Sequence, residues 1–205
     1  DIDFNLKKIV LSNRPSVNYS KLVLNYGSQT IIPKEFESLV KNRNAFSIKP
    51  FLRAYDSILK EDIFDSVNEL PFVIVGSGLA AIEVSYALRK RWGDRPLKLL
   101  CDSRKINNTI LKSLRNSNID LVEKLNFDYG KILLCTGNTS PLWAQKKLLD
   151  SDSYGRIITN QNLQVKSFSG IFAVGDCAVV GSAKRPASGV FAVKVVNTLV
   201  QNLKK

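Results

Sequence analysis

Three short motifs carry residue types able to hold or orient a ligand. Gly76-Ser77-Gly78-Leu79-Ala80-Ala81 is a GxGxxA turn, while Thr136-Gly137 and Gly175-Asp176 each close a run of mostly apolar residues. In the first motif Gly76 permits a tight turn and Gly78 lets the backbone approach a pyrophosphate closely. Leu79 opens the helix that follows, and Ala81, in place of a third glycine, keeps helix against strand. The phosphates would then meet the helix N-terminus, where free N–H groups and the dipole favour an anion. The plain alternative is a structural glycine turn.

Such a turn needs a strand before it and a helix after it, and both are legible. Phe72-Val73-Ile74-Val75 is a continuous apolar run of strand length, the pattern of a strand buried on both faces of a parallel sheet. A helix is predicted from the turn to about Trp92, with Ala81, Val84, Ala87 and Leu88 on one face and Gly93 placed to end it. Leu97–Cys101 is the next strand, which completes a βαβ unit. At its end stand Asp102, suited to a ribose 2′-hydroxyl, and Ser103, Arg104 and Lys105, suited to a 2′-phosphate, so NADH and NADPH both stay open.

Further strands are predicted at Ile9–Leu11, Leu22–Leu24, Lys131–Cys135 and Gly170–Val174, and helices near Pro50–Lys60, Thr109–Asn116 and Val190–Leu203. Residues 33–68 are polar and mixed and read as a connector. In a parallel sheet ligands gather at the carboxyl ends of strands, which makes Thr136-Gly137 and Gly175-Asp176 site positions by architecture. Asp176, after an apolar run, needs a hydrogen-bond partner such as a sugar or ribityl hydroxyl, or else caps the turn that follows.

Composition sets the outer limits. With 205 residues, 44% hydrophobic and 23% charged, the chain can bury a real core. It has no His, which removes imidazole bases and ligands. It also has no Met and begins at Asp1, as a segment cut from a longer protein would. The net charge of +12 favours anionic partners. The basic residues are scattered rather than gathered in a stripe, which argues against nucleic acid. No apolar run is long enough to span a membrane. Cys101, Cys135 and Cys177 form neither a disulfide framework nor a CxxC pair, which fits a reducing, cytoplasmic setting.

Leu134-Cys135-Thr136-Gly137-Asn138-Thr139-Ser140-Pro141 resembles the ATGxxP crossover of two-dinucleotide flavoproteins, and Ile171–Ala178 resembles their second FAD fingerprint. With the glycine turn, their order is similar to that of the FAD- and NAD(P)H-dependent pyridine nucleotide-disulfide oxidoreductase superfamily. Arg185-Pro186-Ala187-Ser188-Gly189-Val190-Phe191-Ala192-Val193 looks most like the type II NADH dehydrogenase-like branch. Within that branch the chain is most similar to the flavoprotein domain fused N-terminally to selenide, water dikinase in some bacteria.

The resemblance implies an α/β fold of two dinucleotide-binding domains with Rossmann-like parallel sheets, the FAD domain incomplete. Residues 1–68 would be a remnant of the FAD domain and the connector, 69–140 the NAD(P)H domain, and 141–205 the carboxyl half of the FAD domain. Gly76, Gly78 and Ala81 would hold the NAD(P)H pyrophosphate, with Glu83 near the nicotinamide end. Gly175 and Asp176 would serve the ribityl or pyrophosphate region of FAD. Ala187–Val190, with Gly189, would open the last helix beside the flavin pyrimidine ring, and Leu24–Ser28 match the first crossover turn. The amino-terminal strand–GxGxxG–helix of the family is absent, and between Ile119 and Lys131 the usual β-meander is cut to a few residues. A CxxxxC redox pair is lacking, which excludes disulfide reduction by that route.

The activity implied is hydride transfer from NAD(P)H to flavin, then to a quinone or another acceptor. A quinone-reducing relative would touch a membrane surface peripherally. The alternative is a non-catalytic NAD(P)H-binding sensor or scaffold linked to selenium metabolism, with a fused or associated selenide, water dikinase domain as the partner that the resemblance implies.

Overall fold

A run of apolar residues with no polar position on either side of the pleat is the pattern of a strand covered on both faces. Phe72–Val75 is such a strand, and all of its side chains are buried. It belongs to one of two units into which the chain divides, residues 29–138 and residues 1–28 with 139–205. The structure, a computed structural model, describes residues 1–64, 70–141, 144, 149–181 and 189–204, with backbone alone at 63–64.

Residues 1–28 contribute β1 (Ile2–Asp3), β2 (Lys8–Ile9) and β3 (Val17–Asn18), an antiparallel three-stranded sheet, and β4 (Leu22–Leu24). Next come β5 (Gln29–Thr30), α1 (Glu37–Lys41), β6 (Ala45–Ser47), α2 (Phe51–Phe64) and β7 (Phe72–Val75). They are followed by α3 (Leu79–Trp92), β8 (Leu97–Leu100), α4 (Asn108–Asn116), β9 (Ile119–Val122), β10 (Ile132–Leu134) and β11 (Asn138–Thr139). The remainder holds β12 (Ile157–Thr159), β13 (Ile171–Ala173), β14 (Ala178–Val180), α5 (Gly189–Lys194) and α6 (Val196–Leu203).

In the unit 29–138 five strands form one parallel sheet, in the order β6-β10-β7-β8-β9. The pleat sends Phe72 and Ile74 to one face with Leu97 and Leu99, and Val73 and Val75 to the other with Ile132 and Leu134. Ala54 and Ile58 of α2, Ala81 and Leu88 of α3, and Leu114 of α4 cover the first face. Phe36, Leu39 and Val40 cover the second, together with Leu125, Phe127 and Tyr129. Each large side chain so buried contributes about 1.5–3 kcal/mol.

One expectation about this unit changes. Residues 29–64, which fall in the stretch read as connector and FAD-domain remnant, pack here instead, because β6 pairs in parallel with β10 and α2 lies on the sheet. An ion pair also fastens α2. Arg95, whose side chain is 1% exposed, donates from Nη2 to Glu61 Oε2 at 3.0 Å. Its guanidinium carbon lies 4.5 Å from the centroid of the Trp92 ring. Asp62 accepts from Trp92 Nε1 at 2.6 Å and from Arg91 Nε at 2.8 Å. In the stretch after Ile119, β9 pairs with β8 in parallel, and the loop beyond it supplies the aromatic cover.

In the other unit β4 pairs with β13 and β12 with β14, both in parallel. Leu24, Ile157, Val165, Ile171 and Ala173 form its core with Phe4, whose ring lies 5.3 Å from that of Phe168. The helix predicted at Val190–Leu203 is two helices, α5 and α6, meeting at Val195 (ψ −6°). The β-branched Val193, Val195 and Val196 crowd that turn, which lowers helix propensity. Among the described residues no helix is long and apolar enough to cross a membrane.

Candidate dinucleotide site

The strand order of the parallel sheet turns at β7. The chain moves outward from β7 to β8 and β9, then returns to the other side of β7 as β10. In open parallel sheets ligands bind outside the carboxyl ends of the strands at such a reversal. Gly76-Ser77-Gly78 leaves β7 there, and Cys135-Thr136-Gly137 leaves β10.

The two segments touch at Gly76. Its φ is +145°, and a Cβ on it would fall against the carbonyl oxygen of Cys135, 3.0 Å from the carbonyl carbon and 3.3 Å from Ala81 Cβ. Glycine is therefore required at 76 by the fold, and a small residue at 81, which is fully buried. Gly78 differs. Its φ is −91° and its ψ 171°, and a Cβ there would meet nothing within 4 Å. It is the N-cap of the fourteen-residue α3, and no side chain caps that end. The N-terminal N–H groups of a helix lack intrahelical partners, so an anion would complete them. Leu79, at the first helical position, is 70% exposed, and Glu83 is exposed further along α3.

Asp102, at the end of β8, joins this site through Ser77, whose hydroxyl accepts its N–H at 2.9 Å. Arg104 donates to the Asp102 carboxylate, and that pairing chiefly holds the carboxyl below its ordinary range and raises the guanidinium. Thr136 Oγ1 donates to the carbonyl of Ile31, and the Ile31 N–H donates to Gly137 O at 3.1 Å. Burial pushes the Cys135 thiol up to about 12, which makes it a core residue rather than a nucleophile.

The residues of the second fingerprint lie in the other unit. Gly175 has φ +71°, and a Cβ there would sit 2.6 Å from Asn25 Oδ1. Asp176 accepts a hydrogen bond from Ser28 Oγ at 3.2 Å. A serine hydroxyl thus meets part of the need for a partner that the sequence raised. Cys177 is fully buried and donates through Sγ to Val174 O at 3.1 Å. Gly189 and Val190 open α5, and Val190 is exposed. Ala187 lies outside the described residues. Sequence reading gave Ser77 no role of its own and placed Asn25 and Ser28 only within the first crossover turn. A hydroxyl between two glycines was the available signal for the first, and the last two become visible through pairing between distant segments.

No family model matches the chain. Human ferroptosis suppressor protein 1 is 25% identical over 242 aligned positions, covering 100% of this chain and 62% of the human protein. A probable NADH dehydrogenase of Dictyostelium discoideum is 26% identical over 238 positions, covering 89% of this chain and 52% of that protein. An engineered water-forming NADPH oxidase, solved bound to NADPH, superposes with a TM-score of 0.75 at 22% identity, covering 100% of this chain and 52% of the oxidase. The chain thus shares with that oxidase an α/β fold built on a Rossmann-like parallel sheet. These relatives support a setting in the pyridine nucleotide-disulfide oxidoreductase-like superfamily. The chain spans less than two thirds of the length of both curated relatives it matches here.

Proposed function

We propose that this chain belongs to an FAD-dependent NAD(P)H oxidoreductase, and that residues 76–81, 102–105 and 136–137 take the nicotinamide dinucleotide. The observation that carries this is the contrast between the two glycines of one turn. Packing against Cys135 accounts for Gly76, whereas among the described residues nothing lies within 4 Å of a Cβ built on Gly78. An open glycine at an uncapped helix N-terminus, at the reversal of a parallel sheet, fits a pyrophosphate.

The backbone of Gly78 and the N-terminal N–H groups of α3 would hold the phosphates. Ala81 keeps α3 close to β7, so those groups stand at the strand end, and Ser77 fixes the loop that carries Asp102. Asp176, steadied by Ser28, would accept from a hydroxyl of FAD. The cofactors, when bound, supply the chemistry of hydride transfer from nicotinamide to flavin and onward to an acceptor of the quinone type. That division of labour needs neither imidazole nor reactive thiol, in keeping with a sequence that has no His and three buried cysteines. The names of the relatives, an NADH dehydrogenase and an NADPH oxidase, support the same reading. A partnership with selenide, water dikinase rests on sequence resemblance alone, and no relative named above carries it.

Gly78→Val tests the site at a small cost to the fold, since a Cβ at 78 meets nothing within 4 Å and the N-cap is exchanged for a poorer one. Titration of wild type with NADH and NADPH, followed by nucleotide fluorescence, should show saturable binding. The variant should lose it while keeping its circular dichroism. Unchanged affinity in the variant would overturn the site. Added FAD that is retained by the chain and bleaches anaerobically with either nucleotide supports the oxidoreductase; nucleotide binding with no such response returns the protein to a sensor.

A further inference from the structure

The loop after β8 holds two opposed specificity signals, and the structure shows them spent on each other. Asp102 accepts from the backbone N–H of Arg104 at 3.2 Å, from its Nε at 2.9 Å and from its Nη2 at 3.1 Å. Lys105 Nζ lies 3.6 Å from the same carboxylate. On the adjoining strand end Glu123 accepts from Ser103 Oγ at 3.2 Å. Two carboxylates therefore stand among two cations, and the local charge cancels.

A lone carboxylate at this position favours a ribose 2′-hydroxyl and opposes a 2′-phosphate, whereas a free guanidinium does the reverse. Here the carboxylate is masked, but by side chains that can leave it. Arg104 is 88% exposed and Lys105 71%, against 27% for Asp102. Exposed ion pairs add little to stability, so turning Arg104 from carboxylate to phosphate costs little. A guanidinium–phosphate contact then returns charge-assisted, two-point hydrogen bonding. The backbone of Asp102 stays in place, because its N–H is tied to Ser77.

We propose that Arg104 and Lys105 act as a removable mask over Asp102, so that the site accepts both NADH and NADPH instead of excluding the 2′-phosphate. The inference rests on the nucleotide site assigned above. With NADH the mask stays closed beside the ribose; with NADPH it opens onto the phosphate. The same picture makes NADPH affinity the more salt-sensitive of the two.

The test is direct binding of NADH and NADPH to the whole chain by nucleotide fluorescence, for wild type, Arg104→Ala/Lys105→Ala and Asp102→Asn, each checked for fold by circular dichroism. Wild-type dissociation constants should lie within about tenfold of each other. The double alanine variant should weaken NADPH by roughly tenfold or more, the size of one lost charge-assisted hydrogen bond, and change NADH by less than about threefold. Asp102→Asn should tighten NADPH, since the guanidinium is released, and weaken NADH. Wild-type exclusion of one nucleotide, equal losses of both in the double variant, or an unchanged NADH/NADPH ratio in Asp102→Asn would each overturn the mask while leaving the site standing. Binding of neither nucleotide to wild type would overturn the site itself, and the mask with it.

Discussion

Gly76→Ala should damage the fold where Gly78→Ala does not, although the two residues share one turn. At Gly76 the new methyl group would meet the carbonyl of Cys135, a backbone group held in β10's exit and unable to rotate away. Its φ of +145° adds backbone strain for any L side chain. Strain of this kind costs about 1–3 kcal/mol and overpacking a similar amount, so about 3 kcal/mol is a fair sum. With a urea slope of about 2 kcal/mol/M, the midpoint should fall by about 1.5 M. Gly78→Ala places its methyl in open space at a φ of −91°. It exchanges one N-cap residue for a poorer one, at a cost below about 1 kcal/mol and a shift under about 0.5 M. Trp92, buried in the same unit, reports the transition once Trp143 is replaced by Phe in every protein compared. Coincident midpoints for the two alanine variants would refute the assignment of Gly76 to packing and Gly78 to the ligand.

Four further outcomes follow from the packing and the charges. Glu61→Ala removes the carboxylate partner of the buried Arg95 and should cost about 3–5 kcal/mol, read from the same urea curves; a loss below about 1 kcal/mol would mean that the flanking rings suffice. Hydrogen bonding from Arg91, opposed by partial burial and aided by Trp92, holds Asp62 below its ordinary range. Its contribution is therefore present above a pH of about 4 and fades as pH falls toward the folded value, so the gap between wild type and Asp62→Asn should close on acidification. Burial raises Cys101, Cys135 and Cys177, the second to about 12, so a thiol reagent at pH 8 should label none in the native protein and all after denaturation. Asp176→Ala should weaken FAD retention; unchanged flavin content would confine that carboxylate to bonds within the protein such as that with Ser28.

How much of this was legible beforehand depends on whether a signal is local. The run Phe72–Val75, the glycine turn and α3 announce themselves because apolar pattern, turn chemistry and helix spacing agree over one short stretch. β6 does not. Ala45-Phe46-Ser47 has no alternation to read, and it becomes a strand by pairing with β10, far along the chain. β9 is similarly hidden, since Asp120 interrupts its apolar run and is matched by Lys98 on the neighbouring strand. The residues at 102–105 were visible, but their mutual pairing was not, because it depends on the tight turn Ser103–Lys105. Gly76 and Gly78 are both glycines of one motif, and the carbonyl of Cys135 and the φ of +145° at Gly76 tell them apart.

The bonds that join Ile31 to Thr136 and Gly137 have a consequence for modularity. They pin the entrance and exit of the unit 29–138 side by side. Loop-closure entropy depends on the gap to be bridged, and here the inserted fold closes that gap itself. For the flanking segments, an entire five-stranded sheet with its helices is thermodynamically a short loop. Such an insert can be exchanged for another of the same footing, or excised and its ends rejoined, without stretching the chain on either side.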